Sequence, residues 1–96
     1  MANIFILSAF SKNPKQIDKV ENFVKENFNY VGEIDKLSSE QSFESGITCC
    51  VECEKDFIKN EIVNFTSKMG KQKDNLFIHI ESDCLNISFN NYKWNF

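Results

Sequence analysis

Three of the four cysteines lie within five positions of this chain. Of all its residues, they come closest to a pattern that binds a metal or carries out a redox reaction. Cys50 and Cys53 have the C-x-x-C spacing that occurs in zinc sites and in thiol redox couples. Both kinds of site place the motif on a turn or at a helix start, so that two sulfur atoms face one point. Here the motif lies in the alternating segment ITCCVECE (47–54), which predicts a β-strand.

Strand alternation separates the sulfur atoms. Cys50 and Cys53 fall on opposite faces, whereas Cys49 and Cys53 share a face but lie roughly 13 Å apart along a strand. A zinc site or a redox couple remains an alternative, with Cys84 and His79 as the further soft ligands. We expect Cys49 and Cys53 to be small buried hydrophobic residues, Cys50 to be a partly exposed thiol on the other face, and the chain to hold no metal or cofactor.

The single histidine offers a second candidate site. In the predicted strand 75–81, His79 shares a face with Phe77 and Glu81. A histidine and a glutamate on one face could exchange protons, and exposed aromatic rings on a sheet could stack RNA bases. However, the chain has no glycine-rich phosphate loop and no nucleophile elbow, and nearby carboxylates would repel phosphates. We therefore expect neither catalysis nor nucleic-acid binding.

The apolar pattern predicts seven elements that position these residues. NIFILSAF (3–10) is a nearly unbroken apolar run, which predicts a strand buried on both faces and central in its sheet. Asn13 and Pro14 open a helix that continues to residue 28, and Asp56 is the expected N-cap of a second helix that ends at Gly70. Further strands are expected at 30–37, 47–54, 75–81 and 85–90, with a long polar loop at 38–46 and an extended tail at 92–96.

The order β-α-β-β-α-β(-β) predicts the fold class. It is typical of an α+β ferredoxin-like sandwich, in which two helices cover one face of an antiparallel sheet. Residues 1–96 are expected to form one domain, because 42% of them are hydrophobic and only three are glycine and one is proline. No segment is apolar enough to span a bilayer or to serve as a signal peptide, so we expect a cytoplasmic protein.

Charge is the strongest indication of a partner. The net charge is −3, and all eleven basic residues are lysines, which argues against specific nucleic-acid recognition because arginine is preferred there. Between residues 33 and 61, eight acids face three lysines. An acidic region of this kind is either an ordinary solvated surface or a docking surface for a basic protein partner. The candidate binding residues are the acids of this region together with two aromatic anchors in the tail: Glu33, Asp35, Glu40, Glu44, Glu52, Glu54, Asp56, Tyr92 and Trp94.

In size and charge the chain resembles the immunity proteins of contact-dependent growth inhibition systems, and also phage anti-defence inhibitors. That resemblance implies a non-enzymatic inhibitor that neutralises a cationic nuclease toxin by binding it. The alternative is a ferredoxin-like domain that binds or responds to a small ligand, with a site around Cys50, His79 and Glu81. For Trp94 the alternative role is to close the hydrophobic core.

Overall fold

The computed structural model describes residues 2–39, 44–73 and 75–96. They form an α+β structure of two α-helices and one six-stranded antiparallel sheet. The elements follow in the order β1 (Asn3–Ser11), α1 (Pro14–Asn27), β2 (Asn29–Ser39), β3 (Glu44–Cys53), α2 (Lys55–Lys68), a 3₁₀ turn (Gly70–Lys73), β4 (Phe77–Glu81), β5 (Asn86–Asn90) and β6 (Lys93–Asn95).

The strands lie in the order β2-β3-β1-β4-β5-β6. The central position of β1, between β3 and β4, agrees with its apolar sequence. β2 and β6 are the two edges of the sheet. A register shift interrupts the pairing of β2 with β3 between Val31 and Asp35, where Gly32 has a φ of 77°.

Local sequence signals fix where α1 begins. The Asn13 side chain accepts a hydrogen bond from the Lys15 N–H at 3.0 Å, and Pro14 occupies the first helical position. Ile17, Val20 and Val24 are buried on one side of this helix, as their spacing predicts. The N-terminus of α2 differs from the prediction, because Glu54 is the N-cap residue. Asp56 lies in the first turn, where its negative charge interacts favourably with the helix dipole.

Both helices contribute to one core on one face of the sheet. Strand residues that face this core include Phe5, Leu7, Val51, Ile78 and Ile80, and each of them is fully buried. The prediction that β1 is buried on both faces is wrong. Ile4 and Ile6 point to the opposite face, and they are 55% and 49% exposed. We call the sheet face opposite the helices the open face.

The predicted long loop at 38–46 is also shorter than expected. β2 and β3 continue to pair through Ser38 with Ser45 and Ser39 with Glu44, so polar residues extend the hairpin. Gly46 is required within it, because a Cβ atom there would lie 2.7 Å from Cδ1 of Phe10. Among the described residues, no helix is long and apolar enough to cross a membrane.

Candidate binding face

Exposed aliphatic side chains of β1 and of the edge strand β2 lie on the open face. In one row across the sheet, Val31 pairs with Cys50, Cys50 pairs with Ile6, and Ile6 pairs with Glu81. Val31 is 46% exposed, and Ile4 lies two residues from Ile6 on the same face. Since alternate strand residues share a face, these three aliphatic side chains form a patch around Cys50.

Carboxylates border this aliphatic patch. Glu52 pairs with Ile4, Glu81 pairs with Ile6, and Asp35 pairs with Thr48, so all three lie on the open face. Each of these acids is exposed. None of the three forms an ion pair with another residue in the described ranges, so their charge is available to a partner.

Two of the three lysines of the acidic region, Lys36 and Lys59, have contacts outside it. Lys36 Nζ lies 3.0 Å from Glu21 Oε1 and 3.9 Å from Asp18 Oδ1, and Lys25 Nζ lies 3.5 Å from Glu21 Oε2. The hydrogen bond from Lys36 is the main reason that the pKa of Glu21 is lowered, and the same bond raises the pKa of Lys36. Lys59 lies 4.7 Å from the centre of the Phe96 ring. Lys36 therefore directs its charge to acids of α1, and not to the acids of the open face.

The structure separates the sequence-predicted acids into several places. Asp35 and Glu52 are on the open face. Glu54 and Asp56 are exposed at the start of α2, next to the end of β3. Glu33 is exposed beside the register shift of β2, where it lines a shallow depression with residues of α1. Glu40 lies outside the described residues, and Glu44 is described only through its strand pairing with Ser39.

The two predicted aromatic anchors have different surroundings. Tyr92 is 56% exposed in the turn between β5 and β6. Trp94 is half-buried and packs on the core, with its ring centre 5.3 Å from that of Phe89. Its indole Nε1–H donates a hydrogen bond to Thr66 Oγ1 on α2 at 2.9 Å. This contact corresponds to the alternative role, in which Trp94 closes the core.

Alternation correctly predicts the placement of the strand cysteines. Cys49 is buried, Cys53 is half-buried on the same face, and Cys50 is half-buried on the open face. Burial raises the pKa of the Cys49 thiol to about 11, and burial also raises that of Cys53 to about 11. Both thiols therefore stay protonated at neutral pH and are poor nucleophiles. Within the described residues, no group of three or more histidine, cysteine or acidic side chains could hold a metal ion.

His79 is half-buried on the open face between Ser8 and Ser88. Its Nε2 atom lies 2.8 Å from Asn86 Oδ1, so its hydrogen-bond partner on this face is an amide. Ser8 Oγ is instead 3.1 Å from Thr48 Oγ1. This polar row borders the aliphatic patch and offers hydrogen-bonding groups to a docked surface.

Sequence reasoning missed three residues of the candidate face, Ile4, Ile6 and Val31, and it named Glu81 only for the alternative small-ligand site. An aliphatic residue in a central strand predicts burial, because periodicity reports which residues share a face but not whether that face is covered. One signal was available. Glu52 on β3 pairs with Ile4 and Glu81 on β4 pairs with Ile6, and these charged residues predict a solvent-facing sheet surface.

No protein-family model and no curated protein matches this chain. Solved structures do match it. A formyltetrahydrofolate deformylase from Pseudomonas putida aligns with a TM-score of 0.63 and 17% identity, over 83% of this chain and 29% of the deformylase. The corresponding values for the deformylase from Burkholderia mallei are 0.62, 14%, 83% and 28%. This chain thus spans less than a third of the length of these enzymes.

Two further matches cover nearly all of the matched chain. An uncharacterized protein from Thermotoga maritima aligns with a TM-score of 0.57 and 12% identity, over 84% of this chain and 96% of the other. A de novo designed protein aligns with a TM-score of 0.59 and 6% identity, over 95% and 99%. At these identities the likeness is one of fold alone. The architecture of this chain therefore occurs in an enzyme segment, in a natural protein of similar extent and in a design.

Proposed function

We propose that this chain is an interaction protein that captures a basic protein partner on the open face of its sheet. The mode of action we favour is that of an immunity protein, which binds a cationic nuclease toxin in the cytoplasm and blocks it without catalysis. A phage anti-defence inhibitor would use the same kind of face.

One observation carries this proposal. Ile4 and Ile6 on the central strand β1 and Val31 on the edge strand β2 are exposed on one sheet face, and exposed carboxylates lie beside them. Aliphatic side chains grouped on a surface gain free energy when a partner removes them from water, by about 25 cal/mol for each Å² buried. The acids at the border attract lysine and arginine side chains, which speeds association and selects a cationic partner.

The arrangement matches the usual anatomy of a protein interface, with an apolar centre and a charged rim. Glu52 and Glu81 would form the nearest part of that rim, and Glu54 and Asp56 would extend it toward α2. Lys25 and Lys36 pair with α1 acids, and neither Glu52 nor Glu81 forms an ion pair with another residue in the described ranges.

We also propose that the fold is ferredoxin-like. The order β2-β3-β1-β4 of the first four strands and the two helices between them support this assignment, with β5 and β6 as an added hairpin. The alternative function is that of a small-ligand regulatory domain. The occurrence of the fold within formyltetrahydrofolate deformylases, which are much longer chains, makes that alternative worth testing.

Site-specific photocrosslinking in the source organism tests the proposed face. A benzophenone amino acid replaces Ile6 on the open face or, as the matched control, Asn22, which is exposed on α1. We expect a crosslink from position 6 to one basic protein and none from position 22. Equal crosslinking from both positions, or crosslinking of position 6 only to a second copy of this chain, would refute the proposal.

Charge reversal then measures the contribution of the rim. Against the partner identified by crosslinking, Glu52→Lys and Glu81→Lys should each weaken binding about tenfold, whereas Glu26→Lys on α1 should change it less than about twofold. Isothermal titration calorimetry gives the affinities, and thermal unfolding confirms that each variant folds. Equal losses in all three variants would show that net charge alone, and not this face, determines binding.

A further inference from the structure

A cavity of about 220 Å³ lies at the end of the sheet opposite Glu52. It forms where β1 ends, β4 begins and the hairpin of β5 and β6 turns. The described residues that line it are Lys12, Lys73, Asn75, Leu76, Phe77, Asn90, Asn91 and Tyr92. The cavity lies apart from the rim acids of the proposed binding face.

The charged side chains in this lining are both lysines. Lys12 follows β1, and Lys73 ends the 3₁₀ turn, so two lysines far apart in sequence line one cavity. Neither forms an ion pair with any residue in the described parts of the chain. Three asparagines add amide donors. Two cations and several amide donors around one space favour an anionic ligand.

Two aromatic rings give the cavity a second property. Phe77 is exposed on the open face, with its ring centre 6.4 Å from that of Phe10, and Tyr92 is exposed in the turn. Aromatic faces favour planar groups through stacking. The volume lies below the roughly 300 Å³ at the lower end of drug-sized sites, so it suits a small ligand.

The backbone conformation at Tyr92 is unfavourable for a tyrosine. Asn91 and Tyr92 are the two residues between the paired positions Asn90 and Lys93, and their φ angles are 53° and 68°. Such a two-residue turn favours asparagine first and glycine second. A tyrosine in the left-handed region is less stable than glycine, because its Cβ atom lies too close to the following carbonyl oxygen. The turn alone would favour glycine at this position, but the residue there is a tyrosine that lines the cavity.

We propose that this cavity binds a small organic anion in which a planar ring carries a phosphate or carboxylate group. Lys12 and Lys73 bind the anionic group, and Phe77 and Tyr92 contact the ring. This site goes beyond the proposed partner binding and does not depend on it.

Titration of amide chemical shifts by ¹H–¹⁵N NMR at low ionic strength tests the site. The probes are phenyl phosphate, benzoate, inorganic phosphate and phenol. We expect phenyl phosphate or benzoate to shift the amide signals of Asn75 and Asn91 saturably, and phenol and inorganic phosphate to bind more weakly. If either phenol or inorganic phosphate binds as tightly as the best ring-bearing anion, or if no probe shifts these amides, the two-part site is refuted. The relative affinities of phenyl phosphate and benzoate show which anionic group the site prefers.

Matched variants connect the response to the lining. Lys12→Gln and Lys73→Gln should each weaken binding of the preferred probe about tenfold, whereas Lys55→Gln, which removes the same charge at the start of α2, should leave it within about twofold. Tyr92→Gly should weaken binding while keeping or raising the melting temperature. Equal effects of the three lysine variants would mean that the anion binds by net charge alone, and that result would overturn the proposal.

Discussion

At the scale of single residues, Trp94 shows how one side chain can be assigned two roles from sequence. Its type and its place near the end of the chain suggested an interface anchor. Its hydrogen bond to Thr66 instead ties β6 to α2, and Thr66 Oγ1 also lies 3.1 Å from Ile62 O, to which it donates. The tryptophan therefore completes a small polar link at the border of the core.

Trp94→Phe should lower the free energy of unfolding by about 1–2 kcal/mol, because it removes the indole donor and part of the packing against Phe89. Thr66→Val should cause a similar loss, and the double variant should lose less than the sum. Urea denaturation measures all three. Lys93→Gln on the same strand is the control and should stay within about 0.5 kcal/mol. Additive losses would contradict a direct link.

The buried thiols determine a pH dependence of stability. The pKa values of Cys49 and Cys53 rise from an ordinary value of 9.0 to about 11 in the folded state. Between these values the unfolded chain releases thiol protons that the folded chain retains, so stability falls as pH rises through this window. The urea midpoint should therefore decrease above about pH 9. The decrease should be smaller in Cys49→Ala and unchanged in Cys84→Ser, because Cys84 is exposed. An identical decrease in the Cys49→Ala variant would contradict the assignment.

At the scale of elements, β1 is a central strand with only one covered face. Its alternate residues Phe5, Leu7 and Ala9 are fully buried beneath the helices, whereas Ile4 and Ile6 are exposed. Central position and burial are separate properties here, because the sheet has a helix layer on one side only. The exposed isoleucines contribute to strand propensity but little to the core.

Two neighbouring substitutions in β1 separate these properties. Leu7→Ala should lower the free energy of unfolding by about 3 kcal/mol, because it leaves a cavity beneath the helices. Ile6→Thr keeps the β-branched side chain and should change it by less than about 1 kcal/mol. The pair is compared by urea denaturation at neutral pH. Equal losses would mean that the open face is covered in solution, for instance by a second copy of the chain.

At the scale of the whole molecule, three acids lie near one end of the sheet and two lysines near the other. Glu52, Glu54 and Asp56 lie near the end where β1 begins, since Asn3 pairs with Cys53. Lys12 and Lys73 lie where β1 ends. The nine residues of β1 separate the two ends by roughly 25 Å, which exceeds the screening length of about 8 Å at physiological salt. The two regions should therefore act independently.

Exchange of substitutions tests this independence. Lys12→Gln should leave capture of the basic partner within about twofold, and Glu52→Lys should leave binding of the ring-bearing anion within about twofold. The same calorimetric and NMR measurements serve for both variants. A loss of both activities in either variant would show that one site, and not two, accounts for the binding.

The sequence by itself determined the local structure of this chain. The spacing of Ile17, Val20 and Val24 predicted one helix face, Asn13 and Pro14 predicted its start, and alternation predicted that Cys49 and Cys50 point apart. These features depend on the periods of helices and strands and on contacts between residues close in sequence. Both can be read from the spacing of residues along the chain.

Only the tertiary structure decided which surfaces are covered and which distant residues meet. It exposed Ile4, Ile6 and Val31, paired Lys36 with α1, turned Trp94 toward Thr66 and placed Lys12 and Lys73 around one cavity. Each of these depends on how many layers pack on the sheet and on strand pairing between distant segments. The physical reason is that periodicity sorts residues onto faces, whereas packing of the helices decides which of the two faces meets water.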